Sequence, residues 1–274
     1  MRPAATIFRE YDIRGHFGVD FDVEFAFHLG RAYAELVRQT IKKDSLVVAV
    51  GHDCRPSSPD LEAELVRGIT ERGVSVERAG LGPTPQLYYT VVSRSLDGGI
   101  QVTASHNPGE DNGFKLMVGP QTLSGGDIQR LKALVEQSIE GDLAAVPRAS
   151  AKEIDAKSAY LDELVSRSLP HVNRDRQLKV VVDAGNGMGG ELGPELLRRL
   201  GCDVVELYTD LDGTFPNHHP DPTVLANIEE LRERVVKERA DVGIAWDGDA
   251  DRIGVVNEKG DVVWGDMLLI VYGR

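Results

Sequence analysis

Cysteine is scarce in this sequence, and it has no long hydrophobic runs. The 274 residues include only two cysteines, Cys54 and Cys202. Two isolated cysteines cannot form a disulfide framework and lack the paired spacing of a structural zinc site. No run approaches the roughly 18 apolar residues of a membrane-spanning helix, and the first residues lack the apolar segment of a signal peptide. We therefore expect a cytoplasmic protein.

Positive charge is also in short supply. The chain has 31 Lys and Arg residues against 44 Asp and Glu residues, so its formal net charge is −13. Phosphate backbones and anionic membranes attract basic surfaces, which argues against a nucleic-acid partner and against a membrane partner. Small phosphorylated ligands remain compatible with this charge, because a local basic pocket can hold them.

The sequence does contain alternating strand and helix patterns. Hydrophobic residues make up 41% of the chain, and its length suits two domains. The alternation predicts an α/β fold with two tandem similar domains and mixed, largely parallel sheets. The predicted helices are 23–40, with Asp22 as N-cap, 59–73, 127–140, 154–169, 194–200, 224–239 and 267–272; the predicted strands are 46–50, 99–103, 178–184, 204–208, 242–246 and 261–264.

A stretch without periodicity, residues 141–152, predicts a connector between the two domains. We place the first domain at 1–152, the second at 153–257, and a third unit, cut short, at 258–274. Asp97-Gly98-Gly99-Ile100 and Asp241-Val242-Gly243-Ile244 each lead into a polar loop, which is either coincidence or an internal repeat. The apolar segment 267–272 has nothing after it to pack against, so we expect possible self-association through this helix.

The densest group of carboxylates is Asp247-Gly248-Asp249-Ala250-Asp251-Arg252, after a predicted strand. Close carboxylates repel one another unless a cation or solvent intervenes, and carboxylate oxygens suit Mg²⁺ or Ca²⁺. A solvated acidic turn is the simpler alternative. A calcium-binding EF-hand is another, but Arg252 stands where that loop needs glycine and the flanks are typical of strands.

A serine follows another predicted strand, in Thr103-Ala104-Ser105-His106-Asn107-Pro108. An exposed hydroxyl at a strand end can act as a nucleophile if a base or positive groups surround it, and His106 and Lys115 are nearby in the sequence. The alternative is an ordinary Asn-Pro turn. A Ser-His-Asp hydrolase is disfavoured because no G-x-S-x-G elbow surrounds Ser105.

A glycine-rich motif, Gly185-Asn186-Gly187-Met188-Gly189-Gly190, also follows a strand, and Glu206 lies about twenty residues further on. This is the context of a dinucleotide-binding fingerprint, so an NAD-dependent oxidoreductase is an alternative function. The other interpretation is a turn in which glycines let a strand and a helix pack closely.

Together these motifs resemble the phosphohexomutase superfamily, in particular the bacterial phosphomannomutase/phosphoglucomutase family. The resemblance rests on motifs that run in the family's order along the whole chain. They are Arg9-Glu10-Tyr11-Asp12-Ile13-Arg14-Gly15, the 103–108 loop, Asn112-Gly113-Phe114-Lys115, Asp183-Ala184-Gly185-Asn186-Gly187 and the 247–252 loop.

The resemblance implies a Mg²⁺-dependent interconversion of hexose 6-phosphate and hexose 1-phosphate, of mannose or glucose, with hexose 1,6-bisphosphate as intermediate and activator. Ser105 matches the serine that carries the phosphoryl group, and Asp247, Asp249 and Asp251 match the metal ligands, with the phosphoserine as a further ligand. By the same resemblance His106 and Lys115 assist catalysis, and Tyr11, Arg14 and Arg252 lie near the substrate. The partners are small-molecule sugar phosphates.

The family has four domains, and this chain resembles the first two and the start of the third. The resemblance therefore implies a fragment with impaired turnover, because the sugar-reading and phosphate-binding loops of the family's later domains have no counterpart in it.

Overall fold

The computed structural model describes residues 3–141, 143, 146–173 and 175–273, which form two compact units. The first unit comprises Met1–Ala104 and Gly109–Lys157, and the second comprises Ser105–Pro108 and Ser158–Arg274. Residues 103–108, which we call the serine loop, therefore begin in the first unit and pass into the second at Ser105. Three residues of the predicted connector, Asp142, Ala144 and Ala145, lie outside the described residues.

The first unit is a mixed sheet with helices. Over the described part of the chain its seven strands run in the order β1-β5-β4-β2-β3-β7, and β6 pairs with β5. The strands are β1 Ile13–His16, β2 Val47–His52, β3 Ser75–Leu81, β4 Gly98–Val102, β5 Asp111–Val118, β6 Gln121–Thr122 and β7 Ala151–Glu153; the helices are α1 Val23–Ile41, α2 Ser58–Glu71, α3 Thr84–Ser93 and α4 Gly126–Glu140.

Helix α1 begins where the sequence predicts, because the Asp22 carboxylate accepts a hydrogen bond from the Phe25 amide at 3.0 Å and caps the helix. Its buried face carries Phe25, Leu29 and Tyr33, which belong to the main hydrophobic core of the unit. Helices α1 and α2 approach closely at Gly30, where an added Cβ would lie 2.3 Å from the Leu65 carbonyl oxygen. Burial of this apolar surface holds the helices against the sheet.

The second unit repeats the plan on a smaller scale. Among the described residues its sheet has five strands in the order β12-β11-β10-β8-β9. The strands are β8 Lys179–Asp183, β9 Asp203–Leu207, β10 Val242–Trp246, β11 Ile253–Asn257 and β12 Val262–Val263; the helices are α6 Gly189–Arg199, α7 Glu229–Glu238 and α8 Gly265–Tyr272, and α5 Ala156–Ser168 crosses the boundary between the units.

The two units contain the internal repeat that the sequence left open. Strands β4 and β10 each pair in parallel with one neighbour, β2 or β8, and antiparallel with the other, β5 or β11. Before β4 the Asp97 carboxylate accepts from the Val47 amide at 2.9 Å, and before β10 the Asp241 carboxylate accepts from the Lys179 amide at 2.9 Å. The same local chemistry therefore starts both strands, and each strand ends in one of the two loops that carry candidate site residues.

Two predicted helices have different limits. Helix α6 begins at Gly189 instead of residue 194, with Pro194 in its second turn. Its glycines are poor helix formers, but Gly193 allows the Trp246 ring to lie where a Cβ would be, 2.4 Å away at the nearest atom. The predicted helix 224–239 is a short 3-10 turn, Leu225–Ile228, followed by α7. At the start of α6, tertiary packing therefore outweighs the low helix propensity of glycine.

Helix α8 has an exposed apolar surface. Met267, Leu269, Ile270, Val271 and Tyr272 are each more than half exposed. Within the described ranges, no helix combines the length and the apolar character that crossing a bilayer requires. Self-association through this helix stays a prediction, and the exposed side chains are the residues at which it can be tested.

Replacing Leu269, which is 72% exposed, by lysine is expected to reduce self-association of the 274-residue chain because it places a charge in the apolar patch. Light scattering over a range of protein concentrations measures the effect. The control is Val92→Lys, which also replaces an exposed aliphatic side chain by lysine but lies on α3 instead of α8. A wild-type chain that stays monomeric at all concentrations contradicts the prediction.

Candidate active site

The loop between β10 and β11, residues 247–252, brings three carboxylates together; we call it the aspartate loop. Oxygen atoms of Asp247, Asp249 and Asp251 all lie within 4.8 Å of one another. Asp247 and Asp249 are fully buried, and Asp251 is exposed. The loop is a connection between two antiparallel strands, not between two helices, which excludes the EF-hand alternative.

Backbone amides fix the orientation of Asp247. Its Oδ1 accepts hydrogen bonds from the Asp251 amide at 3.0 Å and the Arg252 amide at 2.9 Å, so the loop curls around its first carboxylate. Ala250 takes a positive φ of 57°, which allows the sharp reversal. The arrangement leaves the other oxygen, Oδ2, directed at a different partner, Ser105.

The electrostatics of the aspartate loop favour a cation. Burial, reinforced by the negative charges of Asp249 and Asp251, raises the pKa of Asp247 to about 8, although the Ser105 hydroxyl and the Arg252 amide act in the opposite direction. A carboxyl group with such a pKa is held in an environment that disfavours its charge. A divalent cation would remove that cost, and three carboxylate oxygens at this separation are a ligand set of the kind that Mg²⁺ takes.

Ser105 lies against this group of carboxylates. Its Oγ donates a hydrogen bond to Asp247 Oδ2 at 2.8 Å and lies 3.3 Å from Nδ1 of His106. Ser105 is buried and has a φ of 56°, in the left-handed region that few non-glycine residues adopt. Strained backbone of this kind occurs at functional sites, where the surrounding structure imposes it. The hydroxyl is thus fixed beside the acidic cluster in an unusual conformation.

Gly248 allows the serine loop and the aspartate loop to touch. A Cβ at this position would lie 2.3 Å from the Ser105 carbonyl oxygen, closer than any side chain permits. The Gly187 position meets the same loop from the other side, where a Cβ would lie 2.7 Å from the Gly248 carbonyl oxygen. The Met188 amide donates to that oxygen at 2.9 Å. Gly187 of the glycine-rich motif therefore allows close packing, which is the interpretation that the sequence offered as the alternative to a dinucleotide site.

Sequence analysis did not assign a site role to the segment 218–221. The ring of His219 makes an edge-on contact with that of His106, with 6.5 Å between their centroids. Burial raises the pKa of Asp221, but hydrogen bonds from Thr223 and the positive charges of His106 and Arg252 outweigh it, and the pKa lies below its usual range. The concentration of polar side chains around Pro220, outside any helix or strand pattern, is the signal that points to this segment.

The remaining residues singled out by the resemblance lie in the first unit. Tyr11 precedes β1 and is 71% exposed. Arg14 on β1 is buried, and its guanidinium donates to Asp12 Oδ2 at 2.6 Å and to the Ala104 carbonyl oxygen at 3.2 Å. Lys115 is a buried residue of β5 opposite Gln101 of β4. Arg14 therefore binds the backbone of the residue that precedes Ser105.

Comparison with known proteins identifies the family. Residues 5–141 match the description "Phosphoglucomutase/phosphomannomutase, alpha/beta/alpha domain I", and residues 158–260 match alpha/beta/alpha domain II of the same family. The chain belongs to the phosphoglucomutase/phosphomannomutase family. This confirms the resemblance on which the sequence analysis relied.

Named relatives agree with this assignment. The chain is 40% identical over 268 residues to a phosphoglucomutase of Neisseria gonorrhoeae and 39% identical over 270 residues to a phosphomannomutase/phosphoglucomutase of Pseudomonas aeruginosa. Each alignment covers 98% of this chain and 56% of the relative, so the chain spans little more than half their length. A crystal structure of a family protein from Burkholderia thailandensis superposes with a TM-score of 0.90 at 36% identity, over 98% of this chain and 58% of that one.

Proposed function

We propose that this chain carries the phosphoryl-transfer centre of a phosphohexomutase, which interconverts hexose 6-phosphate and hexose 1-phosphate of mannose or glucose through a phosphoserine at Ser105. The observation that carries the proposal is the hydrogen bond from the Ser105 hydroxyl to Asp247, in a cluster of three carboxylates. A nucleophilic hydroxyl beside a cation site is the arrangement that phosphoryl transfer requires, since positioning and charge stabilisation supply most of the catalysis. The names of the relatives support the substrate class.

Asp247, Asp249 and Asp251 fit a Mg²⁺ ion, because their oxygen atoms lie within 4.8 Å of one another. Two of the carboxylates are buried, and the third faces solvent. When bound, the ion would withdraw negative charge from the phosphoryl group under transfer. The protein's own contribution at this point is the fixed orientation of Asp247, which two backbone amides maintain.

Ser105 passes the phosphoryl group in both directions. In the first half-reaction the bond between phosphorus and Ser105 Oγ breaks as a sugar hydroxyl oxygen bonds to phosphorus, and the hydroxyl proton is released to a base while Oγ gains a proton. A hexose 1,6-bisphosphate results. After it reorients, Ser105 Oγ attacks the phosphorus of the other phosphate and loses its proton, which His106 Nδ1, 3.3 Å away, can accept. The bond between that phosphorus and the sugar oxygen breaks, and the sugar oxygen takes up a proton to become the hydroxyl of the released hexose monophosphate.

The cationic and phenolic residues of the resemblance divide into exposed and buried ones, for which we propose different roles. Arg252 lies in the aspartate loop with an exposed side chain, and Tyr11 is also exposed, so both are available to a sugar phosphate. Lys115 and Arg14 are buried, with Arg14 holding the Ala104 carbonyl. Lys115 is proposed to assist proton transfer and to hold the serine loop, and Arg14 to act near the phosphoserine.

The half-reaction tests the proposal. The purified chain is incubated with Mg²⁺ and glucose 1,6-bisphosphate or mannose 1,6-bisphosphate, and both the hexose monophosphate released and the phosphopeptide formed are measured. One monophosphate per phosphorylated chain, with the label on Ser105, is expected because each transfer leaves one phosphate on the enzyme. Fructose 1,6-bisphosphate serves as the control donor. A folded chain that takes no phosphate on Ser105 from either hexose donor refutes the proposal.

A further inference from the structure

The largest fully buried side chain in the described part of the molecule is an arginine that the proposed function does not use. Arg55 follows β2, and its side chain has no exposed surface. Its Nε donates to Asp53 Oδ2 at 3.1 Å, and its amide donates to Asp53 Oδ1 at 3.0 Å. A buried ion pair contributes little to the stability of the fold, because the loss of hydration offsets the attraction between the charges. Its presence therefore calls for a role other than stability.

The contacts of this pair span the end of the strand that leads to Ser105. In the sheet, β4 lies between β2 and β5. On the β2 side, the Asp53 backbone amide donates a hydrogen bond to the Val102 carbonyl at 3.0 Å. On the β5 side, Arg55 Nη1 donates a hydrogen bond to the carbonyl of Asp111, the first residue of β5, at 2.9 Å. The pair thus ties together the two strands on either side of β4, at the point where β4 ends.

A second path of hydrogen bonds leads from Asp53 to the serine loop. Ser58 Oγ donates to Asp53 Oδ1 at 2.6 Å, and Asn112 Nδ2 donates to Ser58 Oγ at 2.9 Å. The Asn112 side-chain oxygen accepts from the Gly113 amide at 2.8 Å, and the Gly113 carbonyl accepts from the Thr103 amide at 2.9 Å. Each of these groups is buried, so no bond in the path competes with bulk water.

The second unit contains the same device at the matching place. Asp183 ends β8, which neighbours β10 as β2 neighbours β4, and it accepts from the amide two residues further on, that of Gly185, at 2.9 Å. A basic side chain meets it there as well: His218 Nε2 lies 3.0 Å from both oxygens of Asp183. Burial lowers the pKa of His218, but the bonds to Asp183 outweigh it and raise the pKa. The repetition at both functional strands indicates a shared role.

We propose that the Asp53–Arg55 pair is a positioning element for the serine loop: it fixes residues 102 and 103, and so sets the direction from which the chain enters Ser105. Its catalytic consequence rests on the proposed function, because it matters through the placement of the Ser105 hydroxyl. Small displacements of a reacting group are costly, so a positioning residue that contacts neither substrate nor phosphate can still govern the rate.

The test compares Arg55→Met with Arg72→Met in the full chain. Arg72 is also a buried arginine of the first unit, paired with Glu35 at 3.0 Å. We expect Arg55→Met to accelerate amide hydrogen exchange at Thr103 about tenfold more than Arg72→Met does, because the bond from Thr103 depends on the network. We also expect it to slow phosphorylation of Ser105 by glucose 1,6-bisphosphate about tenfold or more, with Arg55→Lys intermediate and Mg²⁺ affinity unchanged.

If Arg55→Met does not fold, Ser58→Ala replaces it, with Ser138→Ala as the matched buried-serine control on α4. Unchanged exchange at Thr103 in the folded variant, or equal acceleration in the control, overturns the proposal. So does a normal phosphorylation rate combined with faster exchange, since the network would then not govern the serine. A wild-type chain that is never phosphorylated on Ser105 refutes the proposed function instead, and the exchange comparison still decides whether the pair fixes the loop.

Discussion

Ser105→Ala is expected to reduce phosphoryl uptake from glucose 1,6-bisphosphate by at least about a thousandfold, because it removes the atom that forms the bond to phosphorus. The measurement is the amount of phosphate bound to the chain over time, from intact mass. Mg²⁺ binding should persist, since the three carboxylates of the aspartate loop remain. The loss should therefore be confined to the transfer step.

Two control variants separate the hydroxyl from the backbone around it. Ser124→Ala removes an exposed hydroxyl of the first unit and should leave phosphoryl uptake unchanged. Ser105→Gly removes the same hydroxyl as Ser105→Ala but relieves the positive φ of 56°, so it should be the more stable of the two by about 1 kcal/mol. Phosphate that appears on Ser105→Ala at the wild-type rate would show that another residue is the carrier.

The sequence predicts those parts of the candidate site that a single short segment of the chain forms. Asp247, Asp249 and Asp251 lie within five residues, so their convergence follows from the position of the loop after a strand. Ser105 was likewise marked by its place at a strand end. What the sequence could not provide is the contact between them, because 142 residues separate Ser105 from Asp247.

Other features depend wholly on tertiary structure. The contacts of Asp53 and Arg55 could not be predicted from the sequence, because the hydrogen bond from Arg55 to the Asp111 carbonyl joins segments 56 residues apart across the end of β4. The start of α6 at Gly189 was not predicted, because glycine has a low helix propensity. In the structure, however, the Trp246 ring packs so closely against Gly189 and Gly193 that these positions require glycine.

The second large effect concerns the charge of Asp247. Folding raises the pKa of this carboxyl from 3.8 to about 8, mainly through burial. Between these pH values the folded chain binds a proton that the unfolded chain does not, so the free energy of unfolding falls as the pH rises. In a chelating buffer we expect a loss of the order of a few kcal/mol from about pH 4 to pH 8, measured by thermal or urea unfolding.

Asp247→Asn should flatten this pH dependence, because the amide stays neutral and its oxygen can still accept the Asp251 and Arg252 amides. Asp212→Asn is the matched control: Asp212 is an acceptor for Thr214 in the same unit, and hydrogen bonds from Thr214 hold its pKa below the usual range, so the loss between pH 4 and pH 8 should remain.

Added Mg²⁺ should reverse the loss in the wild-type chain. A ligand that binds only the folded state stabilises it by about 2.7 kcal/mol at a hundred times its Kd, and the gain should be largest at high pH, where no proton competes for Asp247. Asp247→Asn should show much less of this gain. Equal stabilisation by Mg²⁺ in both chains would mean that the buried carboxylates of the aspartate loop are not the metal site. A wild-type stability that does not fall with pH in the chelating buffer would contradict the raised pKa of Asp247.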